Sequence, residues 1–207
     1  MQSLLFDSEP ARGFTCILAD PAWPEYGGGG RGAQNHYDLM SVQEIRDLAP
    51  MVRDVAAPNA HLWMWVTDTY LHDAMHIGSA WGFRYIRTFA WVKLKKDGDV
   101  HPGGIGQYGR GAHELLLLFV RGSLLVPPDR RSSSVIMAKR GRHSAKPRES
   151  YDLIEKATPG PRLEMFCRKA HPGWQALGNE TSGGNLADDL RELANALPQI
   201  ETTKETA

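Results

Sequence analysis

The sequence predicts an α/β domain, a single sheet with helices on both faces. Three observations carry that reading. Several short runs are apolar throughout, among them Cys16–Ala19 and Leu115–Val120, and a strand without polar alternation is one buried on both sides. Helical signals fall between these runs, with recognisable start and stop residues. At 207 residues the chain is long enough for one domain with a substantial core.

Taken in order, Cys16–Ala19 is the first strand. Glu25–Asn35 is polar and glycine-rich. Ser41-Val42-Gln43-Glu44 is a capping box, so a helix starts there and turns Ile45 and Leu48 inward. His61–Thr67 is aromatic and β-favouring, a second strand. Tyr70–Trp81 is a helix stopped by Gly82, and Tyr85–Val92 a third strand. Lys93–Ala112 is glycine-rich and charged without periodicity, a long loop of a kind that is uncommon unless functional or disordered. Leu115–Arg121 and Val135–Ala138 are further strands. Pro147 opens a helix that reaches Ala157, with Thr158-Pro159-Gly160 as its stop. Arg162–Cys167 is the last strand, Leu186–Leu197 a surface helix and residues 198–207 a disordered tail. Residues 1–185 therefore read as one domain, and residues 186–207 as a C-terminal helix and tail.

In sheets of this class ligands sit beyond the carboxyl ends of the strands. The loop Asp20-Pro21-Ala22-Trp23-Pro24 occupies that place after the first strand. Asp20 and Trp23 each precede a proline and are pushed toward extended backbone. Pro21 has no N–H, but its carbonyl accepts. The amino group of an aromatic base is a poor nucleophile, because its lone pair is delocalised into the ring. Acceptors on both of its hydrogens, here the Asp20 carboxylate and the Pro21 carbonyl, pull it toward a tetrahedral geometry. Trp23 offers a face for stacking, worth about 1–3 kcal/mol per base. The stretch Asp20–Trp23 also suits a plain strand-end turn, with Asp20 as a turn residue and Trp23 in the core.

Composition excludes several classes. Lys plus Arg and Asp plus Glu number 24 each, so net charge points to no partner. The longest apolar run, Leu115–Val120, is six residues, too short to span a bilayer. Residues 1–13 show no signal-peptide pattern. Cys16 and Cys167 both lie in apolar stretches and read as reduced core residues, which points to the cytoplasm. No Cys/His cluster has metal-ligand spacing. From Arg121 to Arg148 there are eight Lys/Arg against one acid, Asp129, a local excess that reads either as a phosphate-contacting face or as a solvated loop.

The loop resembles the Asp-Pro-Pro-Trp motif of the adenine-N6 methyltransferase family typified by the catalytic subunit of the eukaryotic messenger-RNA adenosine methyltransferase. Compact bacterial and phage relatives are especially similar. The resemblance runs from about Phe14 to Glu180 and includes His61–Thr67, Trp81-Gly82-Phe83, Trp91-Val92-Lys93, His113-Glu114, Lys146-Pro147, Pro159-Gly160, Glu164-Met165-Phe166, Trp174 and Gly178-Asn179-Glu180. It implies a Rossmann-like sheet with permuted motif order, S-adenosylmethionine as cofactor, and nucleic acid, DNA before RNA, as acceptor; a dimer stays open. It implies that Asp20, Pro21, Ala22 and Trp23 form the catalytic loop. Asp20, Lys146, Arg168, Asn179 and Glu180 match cofactor-binding positions, and Tyr26, Lys93 and Glu114 match positions lining the acceptor side. The chain departs from the pattern in two ways. Ala22 replaces the second proline, and no early Cys-Asp-type cofactor element is found upstream of the first strand. An RNA methyltransferase, or an inactive nucleic-acid-binding partner of the same fold, are the alternative readings.

Physical chemistry bears on several of these positions. With Pro147 as first helical residue, Lys146 takes the capping place, where a cation is unfavourable unless something holds it; the alternative is a solvated lysine. Gly178-Asn179-Glu180 offers an amide and a carboxylate suited to ribose hydroxyls, or is a plain turn. Arg168 either pairs with the cofactor or is a surface arginine. Glu114 precedes a buried strand, so it either faces a cleft or pairs with a neighbour such as Lys93.

Overall fold

The computed structural model describes residues 13–24, 39–104, 108–141 and 145–197. Its strands are β1 (Phe14–Ala19), β2 (Ala56–Val66), β3 (Arg84–Leu94), β4 (His113–Arg121), β5 (Val135–Lys139), β6 (Arg162–Met165) and β7 (Gln175–Leu177). Its helices are α1 (Val42–Asp47), α2 (Ala49–Val55), α3 (Leu71–Ala80), α4 (Arg148–Ala157) and α5 (Leu186–Ala196). The seven strands form one sheet in the order β5-β3-β4-β2-β1-β6-β7. β4 runs antiparallel to β2 and β3, and every other pairing is parallel.

The sheet is covered on both faces, as the unalternating strands require. Leu62, Met64 and Val66 of β2 join a core with Ile45, Val52, Ile77 and Leu190, so α1, α2, α3 and α5 share that face. Trp63 and Trp65 of the same strand point the other way, into a core with Phe89, Leu116, Leu153 and Ile154, where α4 packs. β1 lies between β2 and β6, and all six of its residues are buried. The strand bearing the loop at Asp20 precedes β6 and β7 in the chain but stands beside β6 in the sheet. This is the permuted Rossmann-like order.

Several elements differ from expectation for local reasons. The Ser41 capping box forms as predicted, but Pro50 restarts the helix, so α1 gives way to a separate α2. β7 has three residues, too few to show a period. The stretch expected as a long loop is partly ordered, because β3 runs on to Leu94, Lys93 N–H donates to the Ala112 carbonyl at 2.9 Å, and Leu94 bridges Val100. α4 starts one residue late; Pro147 is its cap, and the Pro147 carbonyl accepts from the Ser150 hydroxyl at 2.6 Å. α5 is no mere surface helix, since Leu190 is fully buried in the core. Gly82 ends α3 at φ +88°, as its residue type suggested. The tail from 198 lies outside the described residues. Among the described residues no helix is long and apolar enough to cross a membrane.

Candidate active site

The strand ends converge on a cavity of about 1100 Å³, slightly above the ~300–1,000 Å³ typical of small-molecule sites. Asp20, Pro21, Ala22, Trp23, Glu114 and Lys146 all line it, and so do Arg168, Asn179 and Glu180. Asp20 leaves β1, Glu114 begins β4, and Lys146 stands two residues before α4. The antiparallel course of β4 is what brings its N-terminal end to the C-terminal end of β2.

Four charged side chains form a continuous chain. Lys146 Nζ lies 2.7 Å from Asp20 Oδ2 and 3.3 Å from Glu114 Oε2, and Lys93 Nζ lies 2.7 Å from Glu114 Oε1. Glu114 thus both faces the cleft and pairs with Lys93. Burial opposes the Lys146 charge, but Asp20 and Glu114 outweigh it and raise the lysine pKa. Burial pushes Glu114 up, yet Lys146 and Lys93 more than cancel it, holding the carboxyl below its ordinary value. Asp20 goes the other way, because burial outweighs the pull of Lys146 and lifts its pKa.

The loop is tied down on three sides. Trp23 N–H donates to the Pro21 carbonyl at 2.8 Å, so one lone pair of that carbonyl is already used. Met40 N–H donates to the Ala22 carbonyl at 3.0 Å. The Trp23 indole N–H donates to the Trp65 carbonyl at 3.0 Å, and its ring stacks on Tyr70 with centroids 5.3 Å apart and planes at 11°. One indole face is therefore taken, and a base would have to use the other.

Arg168 and Glu180 approach within 4.0 Å at the exposed rim, where Asn179 is exposed as well. Tyr26 lies outside the described residues. The basic stretch Arg121–Arg148 does not make one face. β4 carries Arg121 to the end of the sheet away from Glu114, where it donates to the Arg53 carbonyl at 2.8 Å. Lys146 is inside the cavity and Arg148 pairs with Asp152 at 2.8 Å. Lys139 and Arg140, at the C-terminal end of β5, are exposed. Arg142 lies outside the described residues. The register that sets Ala138 opposite Lys93 places Lys139 and Arg140 at the cavity end of the sheet.

The described residues include no cluster of three or more His, Cys, Asp or Glu side chains able to hold a metal ion. The MT-A70 family model matches residues 14–180, most of the chain. The chain belongs to the MT-A70 family. It is 28% identical over 197 residues to the Arabidopsis thaliana N(6)-adenosine-methyltransferase MT-A70-like, covering 91% of this chain and 27% of that protein. It is 28% identical over 180 residues to the Homo sapiens N(6)-adenosine-methyltransferase catalytic subunit METTL3, covering 84% of this chain and 29% of that one. Against the type II methyltransferase M.MunI of Mycoplasma sp the identity is 28% over 199 residues, with 85% of this chain and 81% of the relative covered. This MT-A70 chain thus spans under a third of the plant and human relatives but most of the bacterial one.

Sequence reasoning did not assign Glu164, Tyr151, Trp65 or Phe166 to the site, yet all four line the cavity. Tyr151 donates to Glu164 Oε1 at 2.6 Å, while Glu164 Oε2 is buried without a hydrogen-bond partner. Burial raises the Glu164 pKa, and Asp20 adds to the rise. A lone acid between Leu163 and Met165 in a buried strand was the available signal. Phe166 adopts φ +63°, a left-handed conformation rare for a bulky residue, and turns the chain out of β6 toward Arg168. Nothing in its residue type announces that.

Proposed function

We propose that this chain transfers a methyl group from S-adenosylmethionine to the exocyclic N6 amino group of adenine in nucleic acid, with DNA as the acceptor. The observation that carries the reading is the Asp20–Lys146 pair, 2.7 Å apart, beside the Pro21 carbonyl at the end of β1. An intact pair of this kind supports a catalytic chain over a non-catalytic partner.

The donor set suits the cofactor. Lys146 would hold its carboxylate, and Asn179 and Glu180 its ribose hydroxyls. The unpartnered Glu164 Oε2 is an acceptor for its positively charged end. Bound there, S-adenosylmethionine supplies an electrophilic methyl group on a sulfonium. Asp20 and the free lone pair of the Pro21 carbonyl accept from the two amino hydrogens of the adenine and orient its nitrogen lone pair. In a duplex the base is flipped out to reach them. Lys139 and Arg140 contact phosphate, which gives binding a steep salt dependence. The likeness to a type II methyltransferase supports DNA as the acceptor, and the likeness to METTL3 keeps RNA as the alternative.

The test is incubation of the pure protein with labelled cofactor and either DNA or RNA oligonucleotides, followed by nucleoside mass spectrometry. N6-methyldeoxyadenosine in the DNA arm is expected. Product confined to RNA overturns the acceptor assignment, and no methylated adenine in either arm overturns the activity.

A further inference from the structure

Lys146 rests on more than its two carboxylates. Its ammonium stands 5.4 Å from the centroid of the Trp65 ring, and Trp65 is 1% exposed. Trp65 meets Trp91 edge to face at 6.1 Å and 74°. Trp91 in turn carries Lys93 Nζ 5.4 Å from its own ring centroid. Two indoles therefore support two ammonium groups, with Glu114 between them at 3.3 and 2.7 Å. The Trp65 carbonyl also holds the Trp23 indole, so one residue braces both Lys146 and the loop after β1.

We propose that Trp65 is a positioning residue, an uncharged shelf that presents Lys146 to the carboxylate of the cofactor. The proposal rests on the S-adenosylmethionine reading above. The chemistry follows from what the third side of the ammonium meets. Asp20 and Glu114 already neutralise the two lysines of the chain. A third carboxylate in place of Trp65 would hold Lys146 more tightly and repel an incoming carboxylate. An indole face attracts the cation through its quadrupole without adding charge. Lys146 keeps its place and still has an N–H donor to offer a ligand, with no further negative charge beside it. Trp91 gives the shelf its rigidity, since its own N–H is anchored to the Ala138 carbonyl at 3.0 Å.

The test compares S-adenosylhomocysteine, which has the amino-acid end, with 5′-methylthioadenosine, which lacks it, by titration calorimetry. Trp65→Leu removes the ring, and Trp65→Phe keeps a smaller one. Trp65→Leu is expected to weaken S-adenosylhomocysteine about 5- to 20-fold, Trp65→Phe less, and neither to change 5′-methylthioadenosine. Equal loss for both ligands means Trp65 is merely structural and overturns the proposal, as does unchanged S-adenosylhomocysteine affinity. A wild-type protein that binds neither ligand overturns the cofactor reading and this proposal with it, whereas wild-type binding with no effect of the variants sinks only the role of Trp65. Should Trp65→Leu not fold, the unsubstituted protein decides. With ¹³C-labelled lysine, an Hε resonance shifted upfield by the ring is expected and is lost in Lys146→Met; if no such resonance exists, the shelf does not.

Discussion

Lys146 Nζ stands 2.7 Å from Asp20 Oδ2, so a lysine from the approach to α4 neutralises the carboxylate that ends β1. The Lys146 side chain is only 11% exposed, and Glu114 is its second partner. The pair joins the two halves of the site that the sequence keeps far apart. In the proposed reaction Asp20 would accept from an amino group on one side, and Lys146 would hold a carboxylate on the other.

Removing each partner separates these roles. Asp20→Ala is expected to abolish methylation while leaving cofactor affinity within about tenfold, or ~1.4 kcal/mol, because Lys146 keeps Glu114. Lys146→Met is expected to lose cofactor binding and about 2–3 kcal/mol of stability. That is less than the ~3–5 kcal/mol of a fully buried broken pair, since Asp20 and Glu114 keep some water. Calorimetric titration and denaturant melts of both variants check this.

Trp23→Phe keeps an aromatic ring against Tyr70 but deletes the indole donor to the Trp65 carbonyl. Loss of one such hydrogen bond costs about 1 kcal/mol. The expected signature is a several-fold fall in kcat with cofactor affinity unchanged, read from steady-state kinetics beside calorimetry.

Glu164 gives a pH dependence with a definite sign. Its folded pKa lies above the ordinary 4.5 because burial disfavours the charge. Above 4.5 the unfolded chain has lost a proton that the folded chain retains, so stability falls as pH rises through the folded value. Glu164→Gln keeps an acceptor for Tyr151 and cannot ionise. Its melting temperature is expected to gain on the wild type as pH rises from 4.5, and to show no such gain below it. A wild-type advantage that grows with pH would contradict the assignment.

Gly178 lies where β7 turns into the site, against the chain leaving β6. A Cβ there would come within 2.7 Å of the Cys167 backbone nitrogen. Gly178→Ala must push those backbones apart, at about 1–3 kcal/mol, and displace Asn179 and Glu180. Weaker cofactor binding together with a lower melting temperature is the expected result.

By itself the sequence determined most of the strand-and-helix pattern and marked the loop after β1 as a candidate site. Unbroken apolar runs at Cys16–Ala19 and Leu115–Val120 demand two covered faces, and caps such as Ser41 and Gly82 act locally, so both are readable from neighbouring residues. Asp20, Pro21 and Glu114 were legible as candidates because they sit at strand ends, Lys146 because it precedes a helix start, and all four because they fall in family motifs. Only the tertiary structure decided how they meet. The antiparallel insertion of β4 brings Glu114 to Lys146; Tyr70 takes one face of Trp23; Arg121 goes to the far end of the sheet; and Trp65 comes under a lysine it does not neighbour in the chain. These depend on strand order and register, which long-range packing sets and no local pattern encodes.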